Sequence, residues 1–387
     1  MKLNINQDTI FYILAPADVD TGGPHDLHQL GYELKNQGKK VFMYYFPAKQ
    51  DDPIHENYKV YNIPFTNEIE DSRKNILIIP EINQTIMLSK KFKNIQKVLW
   101  WLSLDYFFVS KFIENFPKTL RSIIKVPFNL ISSFHKITSY NFGNLTLPKY
   151  LKFIYLNYPF KNNVKVKDVS LNLVQSKYQY HVLNSKNVDS EFLFDFIREE
   201  YFKAAENISL KNKENIVCYN PRKSSLFMKE IINSNPDIKF VPLINYKITE
   251  LIEILSKSKI YIDFGFHPGV DHLPREAAIL QNCIITNKEG SANYQDAVPI
   301  NEEYKFEEKR KNLITIRNKI NHIFNSFETE IDFFKNYRNI LQDEKKYLRN
   351  KLLTFLINAL VVKLVDTKDL KSLPFWECQC ESGREHH

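Results

Sequence analysis

The chain has 387 residues, 43% of them hydrophobic, and carries a net charge of +8 at pH 7. This length suits two ordinary domains, and the positive charge favours anionic partners such as nucleotides, diphosphates or anionic lipid surfaces. No RNA-binding signature, zinc-finger spacing or helix-turn-helix pattern indicates nucleic acid. No CxxC pair occurs among the four cysteines, which excludes zinc and thioredoxin motifs.

The start of the chain lacks the charged first region and long apolar run of a signal peptide. No apolar run approaches the roughly 20 residues of a transmembrane helix. We therefore expect a cytoplasmic protein, with a peripheral position at the inner membrane as the alternative.

The first half alternates predicted strands and helices. A buried strand at 9–16 is followed by a loop, a helix over 25–38 and a strand at 39–47. Further strands are predicted at 75–81 and 97–103, joined by a short helical segment. Such strand–helix–strand units are typical of a parallel α/β domain.

Residues 111–161 differ in composition. They hold eight Lys or Arg residues, a single acid, Glu114, and eleven aromatics. This mixture suits a membrane surface, where cations meet anionic lipid and aromatics enter the interface. The alternative is an insertion whose aromatics belong to the core. Strand-then-helix character returns over 171–183.

A second alternating unit begins at 215. Strands are predicted at 215–223, 238–244, 259–265 and 283–287, and helices at 224–236, 247–258 and 274–282. Residues 302–358 are charged and helix-like. The tail, 359–387, has neither period and looks like translated transfer-RNA sequence, so we expect no function from it.

Glycine-containing and charged loops follow several of the predicted strands. Gly22 and Gly23 lie between the first strand and its helix, where glycine lets a ligand approach the backbone and free helix amides favour an anion or a sugar oxygen. The pattern is not GxGxxG, so a dinucleotide fingerprint is absent. The alternative is a tight strand-to-helix turn.

Cations occupy the loop after the strand that opens the second unit. Arg222 and Lys223 follow that strand and precede a helix. Open α/β sheets bind ligands at the carboxyl ends of their strands, and two cations there suit a diphosphate. The alternative is a solvated basic turn.

The stretch from Asp263 to Ala292 gathers three of the nine glycines around one short predicted helix. Pro274 suits its first turn, where the Glu276 carboxylate could accept both hydroxyls of a ribose. The alternative is a helix-dipole Glu paired with Arg275. The amides of Gly290 and Ser291 could bind sugar hydroxyls or a phosphate. We count His267 and Arg275 with these ligand candidates.

Together these motifs, "TGGPHDLHQLGYELKNQG" and "HPGVDHLPREAAILQNCIITNKEGSANYQD", resemble those of GT-B glycosyltransferases. They are most similar to bacterial capsule and O-antigen glycosyltransferases of the retaining, Glu-x7-Glu type, over roughly residues 8–330. The resemblance implies that Gly22-Gly23 faces the donor phosphates and the acceptor. It also implies that Arg222 and Lys223 hold the diphosphate and that Glu276 holds the ribose. The first Glu position is Pro268, beside His267.

The resemblance implies an α/β fold of the GT-B class, with two Rossmann-like domains facing a cleft. We assign 1–205 to an acceptor domain that includes the 111–161 insertion, 206–330 to a nucleotide-sugar domain and 331–358 to C-terminal helices. The expected activity is hexosyl transfer from a nucleotide-sugar to a glycan or lipid-linked acceptor in bacterial surface polysaccharide synthesis. Retention is favoured over inversion.

The leaving diphosphate gains negative charge, which fixed cations and helix amides stabilise without a metal. We therefore expect no metal site and no cofactor besides the donor. Candidates for a catalytic base are Asp105, Asp20 and His25, and the alternative for each is a capping or solvated residue. Two other functions stay open: a nucleotide-sugar epimerase, and a degenerate GT-B module that binds glycan or membrane without catalysis.

Overall fold

The computed structural model describes residues 3–47, 51–115, 166–265 and 267–365, and the side chains of 105, 109, 112–115 and 355–365 lie outside that description. The described strands are Ile10–Pro16 (β1), Lys40–Phe46 (β2), Ile76–Pro80 (β3), Gln96–Trp101 (β4), Leu171–Val174 (β5), Glu191–Phe192 (β6), Glu214–Tyr219 (β7), Lys239–Pro242 (β8), Ser258–Asp263 (β9), Cys283–Asn287 (β10) and Lys305–Phe306 (β11).

The described α-helices alternate with these strands until the C-terminal region. They are Gly22–Asn36 (α1), Asn83–Ser89 (α2), Leu104–Asn115 (α3), Lys177–Asn184 (α4), Glu199–Ala205 (α5), Leu226–Asn233 (α6), Ile248–Lys257 (α7), His272–Ile279 (α8), Leu313–Asn325 (α9), Phe327–Glu330 (α10) and Lys335–Val365 (α11).

The strands form two parallel sheets. The first has the order β2-β1-β3-β4-β5-β6 and the second the order β11-β10-β9-β7-β8, and every strand pair is parallel. Strands such as β3 and β10 are buried along their whole length, as expected when helices cover both faces of a parallel sheet. The predicted α/β fold class is therefore confirmed. The two-residue strands β6 and β11 were not predicted, because so short a segment shows no period.

Helix α11 contacts the cores of both units. Its first half places Tyr337 and Leu341 in the apolar core under the second sheet. Further along, Leu348 and Leu352 are buried in a core beneath the first sheet. The last described turns of side chains on α11 therefore pack in the same core as residues of β1 and β2.

The loops at the carboxyl ends of the two sheets meet each other. The amide of Leu104 donates to the carbonyl of Pro268 at 3.1 Å, and the amide of Lys177 donates to Asp296 Oδ2 at 2.6 Å. The first residues of α3 and α4 thus hydrogen-bond directly to loops of the second unit.

Two further sequence expectations concern single residues and whole helices. The sequence has no CxxC pair, and the two cysteines among the described residues, Cys218 and Cys283, are buried free thiols. Within the described part of the chain, no helix is both long and apolar enough to cross a membrane. The predicted 111–161 insertion and 359–387 tail lie mostly outside the described residues.

Candidate functional site

The first turn of α1 lies against the start of α8. Thr21 precedes α1 in an extended conformation and its side chain makes no capping hydrogen bond. A Cβ atom added to Gly22 would lie 3.3 Å from the His272 ring, and His272 is the first residue of α8. Gly22 therefore faces the helix that carries Glu276, and a larger residue there would press on it, whereas Gly23 faces Leu102 after β4.

His272 joins the two sheets through ion pairs. Its Nε2 lies 2.8 Å from Asp26 Oδ1 on α1 and 3.3 Å from Asp195 Oδ2 in the segment after β6. Burial alone would lower the pKa of His272, but Asp26 and Asp195 outweigh burial and raise it to about 10. The imidazole is therefore a cation at neutral pH. Burial and Asp195 raise the pKa of Asp26.

Arg275, the second cation of α8, is held by protein carboxylates. Its guanidinium pairs with Asp195 at 2.6 Å and with Glu344 of α11, and its side chain is 1% exposed. Burial raises the pKa of Glu344 to about 7, although the positive charge of Arg275 acts to lower it. Arg275 therefore connects α8 to the first sheet's final segment and to α11.

The ribose candidate Glu276 is buried beside these ion pairs. It is 7% exposed, it hydrogen-bonds with Tyr201 of α5, and its Oε1 lies 4.0 Å from His272 Nδ1. Burial raises the pKa of Glu276, while His272 and Arg198 oppose that rise. The carboxylate thus lies in the region where both sheets contribute charge.

The loop after β7 carries the two predicted phosphate-binding cations. Arg222 donates to Asn245 Oδ1 and is exposed. Lys223 pairs with Asp271, the residue that precedes α8, and keeps 37% of its side chain exposed. The loops after β7 and β9 therefore meet at the N-terminus of α8, with Lys223 open to an anion on one side.

His267 lies beneath this pair. Its Nδ1 is 2.9 Å from Asp271 Oδ2 and its Nε2 is 3.8 Å from Asp263 Oδ1. Burial disfavours the charged ring, but Asp263 and Asp271 outweigh burial and raise the pKa of His267. Its side chain is 1% exposed, so the ring supports Asp271 and does not line the cleft.

Gly290 and Ser291 hold the same loop from the other side. Gly290 has φ +55°, and a Cβ atom there would overlap the carbonyl oxygen of His267. The hydroxyl of Ser291 donates to the carbonyl of Gly269, and its amide donates to His267 at 2.9 Å. Ser291 is buried, so the loop after β10 fixes the shape of the loop before α8.

Gly269 contacts the first sheet's loop directly. A Cβ atom at Gly269 would overlap the carbonyl oxygen of Leu102, just after β4. The amide of Leu102 is held by the buried carboxylate of Glu81 at 3.1 Å, and burial raises the pKa of Glu81 to about 7. The backbones of Gly269 and Leu102 are therefore in close contact at this point of the cleft.

The three candidate bases lie in different settings. His25 is buried, its Nε2 lies 2.8 Å from the Tyr61 hydroxyl, and burial lowers its pKa well below the usual value. Asp20 accepts from Asn57 Nδ2 at 2.6 Å and from the Tyr58 hydroxyl at 2.9 Å. Asp105 is the second residue of α3, and its side chain lies outside the described part.

Two groups of described residues bring three possible metal ligands within 4.8 Å of one another. They are His25, Asp26 and His272, and Asp263, His267 and Asp271. Each group already pairs a carboxylate with a protein cation, His272 in the first and Lys223 in the second. A divalent cation would have to displace or oppose that charge.

The predicted site residues thus differ in where they lie. The N-termini of α1 and α8 face each other and carry or contact Gly22, Lys223 and Glu276. Gly23 faces Leu102, and Arg222 contacts Asn245 in another loop. The remaining candidates contact protein groups: His267, Arg275, Gly290 and Ser291. Three further charged residues of this region were not predicted, because their partners lie far away in sequence: Asp26, Asp195 and Arg198.

Comparison with known proteins supports the fold. No protein-family description and no curated protein matches the sequence. Solved structures do match: HepE from Anabaena in complex with UDP and glucose has 9% identity and a TM-score of 0.55, covering 90% of this chain and 100% of that chain. The catalytic domain of Arabidopsis thaliana starch synthase IV bound to ADP and acarbose has 10% identity and a TM-score of 0.51, covering 91% and 99%.

A third match is sucrose-phosphate synthase from Thermosynechococcus elongatus, at 12% identity and a TM-score of 0.50, covering 93% of this chain and 100% of that chain. The near-complete coverage, with the two parallel sheets and the cleft between them, shows that the chain has the GT-B fold. At such low identity the likeness concerns the fold alone.

Proposed function

We propose that this protein is a glycosyltransferase that moves a sugar from a nucleotide-sugar donor to a glycan or lipid-linked acceptor in bacterial surface polysaccharide synthesis. The observation that carries the proposal is the contact of Gly22 with His272, which sets the free N-terminus of α1 against the helix that bears Glu276. Lys223 pairs with Asp271, just before the same helix. Arg222, the preceding residue, donates to Asn245 in another loop. Glycine amides, cations and a carboxylate are the groups that a nucleoside diphosphate needs.

In this proposal each chemical group has a separate role. Glu276 accepts the ribose hydroxyls, and Lys223 and Arg222 stabilise the charge that develops on the leaving diphosphate. The amides at the start of α1 face the same charge. HepE was solved with UDP and starch synthase IV with ADP, so UDP and ADP are the first nucleotides to test.

Glu276→Gln tests the proposal. The substitution keeps the size of the side chain but removes charge-assisted hydrogen bonds worth about 1.5–3 kcal/mol, so affinity for UDP or ADP should fall roughly tenfold or more. Isothermal titration calorimetry measures the change, and Glu206→Gln, at an exposed position, is the matched control. Unchanged affinity in the Glu276 variant would contradict the ribose assignment.

Metal independence is a further part of the proposal. Transfer to an added acceptor should continue in EDTA, because protein cations and helix amides replace the metal in stabilising the diphosphate. Full inhibition by EDTA with rescue by manganese would reject this mechanism.

One observation favours the binding-only module as a second candidate. Pro268 stands where the resemblance implies the first Glu, so no carboxylate is present there, and its carbonyl accepts a hydrogen bond from the Leu104 amide. Binding of nucleotide without turnover on any acceptor would favour that module. An epimerase needs free carboxylates at the sugar, and Asp26 and Asp195 are held by His272 and Arg275.

A further inference from the structure

Arg198 is a partly buried cation in the segment that joins the two sheets, immediately before α5. Its side chain is 13% exposed, and the nearest carboxylate oxygen, Asp20 Oδ1, is 3.6 Å away. Among the described residues its guanidinium donates no hydrogen bond. A guanidinium carries five donors, and those of Arg198 stay available to solvent or to a ligand. The site therefore suits a ligand that supplies acceptor oxygens.

Asp20 contacts Arg198 only loosely. Its two oxygens already accept from Asn57 Nδ2 at 2.6 Å and from the Tyr58 hydroxyl at 2.9 Å. The Asp20–Arg198 contact is longer than a hydrogen bond. Arg198 can therefore turn to another anion while Asp20 keeps both of its hydrogen bonds.

The neighbours of Arg198 come from both sides of the cleft. Its charge opposes the burial-driven rise in the pKa of Glu276, and after burial it is the next cause of the lowered pKa of His25. Asp20 is two residues before Gly22, where α1 begins. Arg198 therefore contacts the segment that leads into α1 and acts electrostatically on the ribose candidate of the second unit.

We propose that Arg198 binds the diphosphate of the nucleotide donor from the side of the inter-sheet segment, opposite Lys223 and Arg222. This inference rests on the proposed function and adds to it a phosphate-binding residue from the segment that joins the two sheets, which the sequence motifs did not single out. A guanidinium suits the task because its planar fork donates two parallel hydrogen bonds to phosphate oxygens. Since Arg198 belongs to the connecting segment, donor binding would also hold the two sheets together.

The test compares UDP with uridine. Arg198→Gln should lower affinity for UDP by about 10- to 100-fold, the range expected for lost charge-assisted hydrogen bonds, and leave uridine binding unchanged. Arg198→Lys should show an intermediate loss, because lysine keeps the charge without the fork. Calorimetry measures UDP, ligand-observed NMR measures uridine, and thermal melting verifies that each variant folds.

The controls separate this inference from the proposed function. Arg73→Gln removes an exposed arginine and should leave both affinities unchanged. Equal loss of UDP and uridine in Arg198→Gln, or an effect confined to the KM of the acceptor, would overturn the phosphate role. If the wild-type protein binds neither UDP nor ADP, the proposed function fails. In that case pyrophosphate tests Arg198 separately. Equal affinity of wild type and Arg198→Gln for pyrophosphate would overturn this inference as well.

Discussion

At the scale of single residues, the most unusual feature is the set of buried charges between α1 and α8. Asp26, Asp195, His272 and Arg275 are each more than four-fifths buried, yet every one has an opposite charge within 3.3 Å. Such pairs are costly to bury and costly to break, since removing one partner leaves the other uncompensated. They fix how the two sheets face each other.

His272→Asn should therefore destabilise the protein by about 3–5 kcal/mol near pH 6. The pKa of His272 is about 10 in the folded protein and about 6.5 when unfolded, so its contribution is full below pH 6.5 and is lost as the pH rises through 10. The stability gap between wild type and variant should narrow from pH 6 to pH 9.5. Urea unfolding at several pH values measures it.

His322→Asn is the control for this prediction. His322 is 56% exposed and also lies near a carboxylate, Glu330, at 3.1 Å, but exposed pairs contribute little. A gap for His272→Asn that stays constant from pH 6 to pH 9.5 would contradict the assignment of a charged ring.

At the scale of elements, the loops after the strands were the most predictable part of the site. Parallel α/β sheets bind ligands at the carboxyl ends of their strands, so Gly22, Lys223 and Glu276 could be chosen from sequence. Helix α8 begins at His272, two residues before the predicted start at Pro274, which brings His272 into the site. Arg198 and Asp195 could not be predicted, because their partners lie in other elements and leave no periodic signal.

The loop after β10 should depend on glycine at position 290. Gly290→Ala introduces a side chain at φ +55° that also overlaps the carbonyl of His267. Gly38→Ala is the matched control, since Gly38 has φ +73° and nothing lies within 4 Å of its added Cβ. The free energy of unfolding of Gly38→Ala should fall by about 1–2 kcal/mol from backbone conformation alone. That of Gly290→Ala should fall further. Equal losses in urea unfolding would show that the loop accommodates the methyl group.

At the scale of the whole molecule, α11 makes the two units interdependent. Its Tyr337 and Leu341 belong to one core and its Leu348 and Leu352 to the other. Arg349 of the same helix donates to the buried carboxylate of Glu33 on α1 at 2.7 Å. The sequence predicted helical character over 302–358. It could not predict that the helix packs on both sheets, because that packing joins residues hundreds of positions apart in the chain.

Leu348→Ala should destabilise the protein by about 2–5 kcal/mol, because it removes fully buried methyl groups and leaves a cavity. The neighbouring Leu353 is 45% exposed, so Leu353→Ala should change stability by no more than about 0.5 kcal/mol. Chemical denaturation compares the two variants. Similar small effects would mean that α11 does not stabilise the first sheet.

The route of α11 also affects how the chain is made. Proteins are synthesised from the N-terminus at about 5–20 residues per second, so the residues between β6 and Leu348 take roughly 8–30 s to appear. Throughout that interval all described strands of the first sheet have been synthesised, but Leu348 and Leu352 have not. The newborn chain therefore exposes an apolar face to chaperones and to other nascent chains until translation is nearly complete.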